Sequence, residues 1–292
     1  QNNLLLLLCD SYIIGMFISN FQLETNMVYL VLDLDNTVWE KQELDNKSYE
    51  SVSQRIFGRR ISLLTNPITG ERDRDFAKCT NHDIWRYKLQ QVLDSGECLV
   101  LGSTPIARTE EIDIGELVTK LGIAAVDYVV RAARIDEVVK SYLIPNDLLA
   151  LSRAVSHIGV ASSGARVLQD KLLRDLGFYG AGLERGLCSF AEEGRDKRSL
   201  VANSVQRYKN IYRNRPQTVV YVGDSEEDMA ATKALAPSAS FTTDFRAVGV
   251  LTGMTDEHEL IAAGAHLVIP SLQGPQNLKK LFVFLQGLNH EG

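Results

Sequence analysis

The chain changes its rhythm of apolar and polar positions twice. Val28-Tyr29-Leu30-Val31-Leu32 is an unbroken run of strand-forming residues, the pattern of a strand buried on both faces. From Glu40 to about Ser152 the apolar positions fall at helical spacing. Ser48–Phe57 carries Val52, Ile56 and Phe57 and stops at Gly58. Asn66-Pro67 and Thr69-Gly70 mark a loop over Leu64–Asp75. A second helix is predicted from a Thr80 cap to Gly96, a third over Asp113–Leu121 and a fourth over Ala124–Tyr142. From His157 onward short apolar runs alternate with helical segments. Strands are predicted at His157–Ala161, Gly186–Phe190, Thr218–Val222, Ala247–Leu251 and His266–Ile269. Helices are predicted at Ala165–Leu176, Lys197–Tyr208, Glu226–Leu235 and Glu257–Ala263. Such alternation predicts an α/β fold, a Rossmann-like parallel sheet covered by helices, with a helical segment inserted after its first strand.

Composition narrows this picture modestly. At 292 residues and 45% hydrophobic content the chain can hold one large domain or two small ones. The net charge of −6 argues against a nucleic-acid partner. Cys9, Cys79, Cys98 and Cys188 lie far apart, which suits neither a zinc site nor a disulfide framework and fits a reducing, cytoplasmic setting. The histidines show no ligand spacing, so a metal would be held by oxygen. Residues 1–26 form an apolar extension broken by Asp10, without a basic start and too short to span a membrane. Met27 is read as the natural start, because the first strand follows it at once.

Candidate chemistry begins where the first strand ends. Asp33 and Asp35 stand two residues apart at its carboxyl end, where open α/β sheets place ligands. Paired carboxylates repel, and a shared proton or divalent cation relieves them. A polar turn after a strand is the plainer reading of these two residues alone. Downstream, Gly159-Val160-Ala161-Ser162-Ser163-Gly164 is a strand running into hydroxyl residues at a helix start, suited to an anion or to simple capping. Lys197 precedes a helix, with Arg195 and Lys171 as rivals for any fixed cation here. Gly223-Asp224-Ser225-Glu226-Glu227-Asp228 closes another strand.

Taken in order, these pieces resemble the four motifs of the haloacid dehalogenase-like superfamily, in the branch similar to phosphoglycolate phosphatases. The resemblance covers the core from Val28 to about Leu272 and continues through Val248–Gly253 and Ala263–Ile269. It implies core segments 27–40 and 153–288, and a type-one helical cap over 41–152 that selects the substrate. By that resemblance Asp33 is the nucleophile and Asp35 the acid and base, with Ser162 and Lys197 binding the transferring phosphoryl group. Asn36, Thr37, Ser163 and Gly164 lie beside the substrate. Mg2+ is the implied cofactor, held through Asp33, Asp35 (by its backbone carbonyl) and Asp224, with Asp228 one helical turn on. The implied activity is hydrolysis of a small phosphorylated metabolite through an aspartyl-phosphate. A phosphomutase, or a catalytically silent binding protein on the same fold, stays open. A dehalogenase does not, because Asp35 has no use when halide leaves. Arg55, Arg59, Arg72, Arg86 and Lys88 are the insert's candidates for reading an anionic substrate.

Overall fold

A computed structural model describes residues 28–40, 42–62, 69, 81–95, 99–101, 104–106, 113–132, 139–235 and 243–290. The apolar extension with Met27, the loop over Leu64–Asp75 apart from Thr69, and the Thr80 cap lie outside the described residues.

The chain divides into two compact units, Gln1–Glu40 with Lys140–Gly292, and Lys41–Val139. The first is built on a parallel five-stranded sheet. Its strands are β1 (Val28–Leu32), β6 (His157–Val160), β7 (Thr218–Gly223), β8 (Asp244–Val250) and β9 (Leu267–Ile269), in spatial order β6-β1-β7-β8-β9. Every residue of β1 and β7 is buried, as expected of central strands covered on both faces. On one face Tyr29, Val31, Val219 and Tyr221 pack with Leu200, Val201, Val205 and Tyr208 of the helix Lys197–Tyr212. Because β1 lies between β6 and β7, the chain goes first to one side of β1 and then crosses to the other. The carboxyl ends of these three strands border that switch point, where an α/β sheet leaves a crevice.

A second pairing closes the unit. Strand β2 (Trp39–Glu40) runs antiparallel to β5 (Lys140–Ser141), and the Tyr142 amide donates to the Val38 carbonyl at 2.8 Å. The Tyr142 hydroxyl donates to Glu40 at 2.9 Å. These bonds explain why residues 140–152, read with the insert from sequence, group with the sheet.

The unit 41–139 contains helices Gln42–Phe57 (α1), Asn81–Asp94 (α2) and Ile114–Ala132 (α3), and an antiparallel pair β3 (Leu99–Leu101) and β4 (Thr104–Ile106). Val52, Phe57, Ile61, Leu89, Val92, Val118 and Leu121 form its core. The two helices expected over Asp113–Leu121 and Ala124–Tyr142 are one helix as far as Ala132. Gly122 sits inside it without ending it, since the apolar stripe continues in phase through Ala125 and Val129. Arg55 and Arg86 are exposed, Arg59 is half-buried, Lys88 is buried, and Arg72 lies outside the described residues.

The strand expected at Gly186–Phe190 is instead a 3-10 turn over Arg185–Leu187, with one isolated bridge from Ser189 to Ala161. The Leu187 amide donates to the Glu184 carbonyl at 2.9 Å and the Cys188 amide to the Arg185 carbonyl at 3.3 Å, so these residues close a local turn in place of a ladder. Among the described residues, no helix is long and apolar enough to cross a membrane.

Candidate active site

The site grows from the end of β1. The Asp33 amide donates to the Val222 carbonyl at 2.8 Å, extending the ladder by one residue. The chain then folds over itself. Amides of Thr37, Val38 and Trp39 all reach the Leu34 carbonyl, and Asn36 takes a left-handed φ of 60°, which asparagine tolerates better than most residues. This loop gives the two aspartates separate partners. Asp33 meets Lys197, and Asp35 meets Trp39 and Gln169.

Lys197 opens the helix Lys197–Tyr212, where Asp196 caps the Ser199 amide at 2.7 Å. Its ammonium lies 2.5 Å from Asp33 Oδ1 and 3.0 Å from Asp228 Oδ1. Burial works against the charge, but Asp228 and Asp33 outweigh it and hold Lys197 well above its ordinary range. The rivals are elsewhere: Lys171 pairs with Asp175, and Arg195 is exposed.

Asp224 follows β7 as Asp33 follows β1. The Thr37 hydroxyl stands 3.4 Å from Asp33 Oδ2 and 3.3 Å from Asp224 Oδ1. Thr37 is fully buried, so it braces the acids rather than facing a substrate. Asp228 is saturated. Oδ1 accepts from Lys197 and from the Tyr221 hydroxyl at 3.0 Å, and Oδ2 accepts from the Ser225 amide at 3.1 Å and hydroxyl at 2.6 Å. Its place is to hold Lys197 more than to offer a free ligand. Gly223 permits a close approach, since a Cβ there would lie 2.5 Å from Asp228 Cγ.

Ser162 stands one residue beyond Ala161, whose amide donates to the Leu32 carbonyl at 3.0 Å, and so reaches the edge where Asp33 stands. Its hydroxyl accepts from the Gly164 amide at 3.2 Å and keeps its own proton to donate. Ser162 is not the helix cap. The helix Arg166–Asp175 is capped at Ala165 without a side-chain bond, and its first amide is taken by Glu192 at 2.9 Å. Helix-terminal amides are therefore less open to an anion than the sequence suggests. Ser163 is exposed and Gly164 half-buried.

Asp33, Asp224 and Asp228 each place an oxygen within 4.8 Å of the others, against one lysine. Burial first, then the neighbouring Asp228, pushes the Asp224 carboxyl up to about 7. Burial raises Asp33 as well, against the pull of Lys197. An all-oxygen, electron-rich cluster of this kind fits a hard divalent cation such as Mg2+. The Asp35 carboxylate is outside it.

These shifts carry a sign. Without metal, the folded protein holds protons that the unfolded chain releases. The contribution of these groups to stability is complete below about pH 4 and is lost as pH rises through about 7. In EDTA the melting temperature should fall from pH 5 to pH 8, and added Mg2+ should raise it more at pH 8 than at pH 5.5. A flat profile would count against the buried-acid assignment.

The loop after β8 supplies residues that motif reading left unassigned. The Thr252 hydroxyl donates to the Asn36 carbonyl, and a Cβ on Gly253 would lie 2.0 Å from Asp224 Oδ2. Gly253→Ala should turn Asp224 aside and weaken Mg2+ binding by about tenfold or more, read by calorimetric titration. Gln169, in the interior of a helix, carried no sequence signal at all.

With the site in view, comparison with solved structures locates the fold. A candidate phosphatase from Clostridium difficile superposes with a TM-score of 0.56 at 16% identity, covering 89% of this chain and 100% of that one. A candidate haloacid dehalogenase-like hydrolase from Bacteroides fragilis gives 0.53 at 19% identity, over 85% and 98% of the two chains. A candidate beta-phosphoglucomutase from Thermotoga maritima gives 0.53 at 14% identity, over 88% and 98%. The chain has the haloacid dehalogenase-like fold. No protein-family model and no curated protein matches its sequence.

Proposed function

We propose that this protein is a magnesium-dependent phosphomonoester hydrolase that works through an aspartyl-phosphate on Asp33. One observation carries the reading. Lys197 bridges Asp33 and Asp228 at the strand edge where Thr37 links Asp33 to Asp224. A lone buried cation among three acids suits transfer of a dianionic group more than it suits stability.

In the first step a carboxylate oxygen of Asp33 attacks phosphorus. The phosphorus–oxygen ester bond breaks, its electron pair leaves with the alcohol oxygen, and Asp35 gives that oxygen a proton. In the second step Asp35 takes a proton from water, whose oxygen attacks phosphorus and frees Asp33. Lys197 and the Ser162 hydroxyl hold the phosphoryl oxygens throughout. Asp33, Asp224 and the Asp35 backbone carbonyl would hold Mg2+, which supplies charge neutralisation when bound.

The substrate class is a small phosphomonoester, such as phosphoglycolate, a sugar phosphate or a nucleoside monophosphate. The resemblance assigns its selection to the insert over 41–152, and within the unit 41–139 Arg55 and Arg86 are exposed cations. The test is phosphate release over a panel of phosphomonoesters with Mg2+ and with EDTA. Turnover confined to the Mg2+ arm is expected. A silent panel would favour a binding protein, and interconversion of glucose phosphate isomers would favour a mutase.

A further inference from the structure

Asp35 is held by a pair of buried donors. Trp39 Nε1 donates to its Oδ1 at 3.1 Å, and Gln169 Nε2 lies 3.1 Å from Oδ1 and 3.2 Å from Oδ2. Both donors come from fully buried residues in packed surroundings. Trp39 stands edge-on to Phe178 with ring centroids 5.7 Å apart, and Gln169 lies among Leu168, Leu172 and Leu173 on one buried helix face.

Three details single out Gln169. Turning its amide toward Asp35 leaves Oε1 buried and without a hydrogen-bond partner among the described residues. An orphaned acceptor of that kind costs about 1–3 kcal/mol, so the residue is not explained by stability. The amide also reaches Asp35 across Gly164. A Cβ there would lie 2.0 Å from Nε2, so the glycine of the Ser162-Ser163-Gly164 turn keeps the path open. Finally, the bonding is two-sided: one N–H group spans both carboxylate oxygens and Trp39 fixes the first, which sets the carboxylate plane as well as its position.

We propose that Gln169 is a positioning residue that, together with Trp39, aims the Asp35 carboxylate at the leaving-group oxygen. This rests on Asp35 being the acid and base of the proposed hydrolysis. It accounts for why two aspartates two residues apart do different work.

The test compares p-nitrophenyl phosphate, whose phenolate leaves without a proton, with benzyl phosphate, whose alkoxide needs one. Gln169→Met keeps the length and loses the donor, and Gln169→Glu is the second variant should the first not fold. Expected is a loss of kcat/KM of about 10- to 100-fold on benzyl phosphate and no more than about 3-fold on p-nitrophenyl phosphate. A general packing defect would lower both alike. Asp35→Asn is the control and should show the same asymmetry, more strongly. Equal losses or no loss in the Gln169 variant, with the asymmetry present in Asp35→Asn, would overturn the positioning role alone. No asymmetry in Asp35→Asn would overturn the acid assignment and the positioning role with it. A crystal structure of the folded Gln169 variant gives a second readout. An Asp35 carboxylate still in place beside Trp39 Nε1 would also overturn the proposal.

Discussion

Asp33→Asn is expected to lower phosphate release by about 10³-fold or more, because a residue that forms the covalent intermediate has no substitute. The same change should leave the fold intact. Asparagine keeps an oxygen for Lys197 and removes one charge from a cluster in which burial already disfavours ionisation. In EDTA at pH 8 the variant should therefore melt no lower than the parent. The two readouts separate chemistry from structure. Turnover within about tenfold of the parent would remove the covalent mechanism, and a collapse in stability would mean Asp33 is structural.

Lys197→Met should damage both. It strands Asp33 and Asp228 in a buried pocket without their counter-charge, and breaking a buried pair in this way typically costs about 3–5 kcal/mol. Urea denaturation in EDTA would show the loss most clearly at pH 8. Toward pH 5 Asp33, whose carboxyl burial already raises, can take up a proton, and the penalty should shrink. Adding Asp228→Asn to Lys197→Met should recover part of the stability, because it removes one of the uncompensated charges, but none of the activity. Recovery of activity in that double variant would count against Lys197 as a phosphoryl-binding group.

The sheet was the most legible part of the chain. Strands buried on both faces read as unbroken runs such as Val28–Leu32 and Thr218–Val222, because both faces pack against covering elements rather than water. The inserted unit was less legible. Gly122 reads as a break but is carried through by neighbours that bury the same stripe. In the sheet unit, the two-residue strands β2 and β5 are too short to have a period. The false strand at Gly186–Phe190 failed because amides there bond back to carbonyls three residues earlier, which closes a local turn.

Among the candidate site residues, the sequence by itself marked out the acids and the strand ends they follow. Asp33, Asp224 and Ser162 each follow a strand that the sequence predicts, and the spatial order β6-β1-β7 brings those strand ends to one edge. The sequence put Lys197 ahead of Arg195 and Lys171 only by resemblance, since a lysine at a helix start looks the same whether it faces water or a carboxylate. Only the tertiary structure decided that. It also decided that Thr37 braces the acids, that Asp228 is occupied, and that Gln169 reaches Asp35 across 134 residues of sequence. The physical reason is one of range. Burial patterns are local and periodic, so they are written along the chain, whereas a hydrogen bond between distant side chains exists only once the sheet has closed.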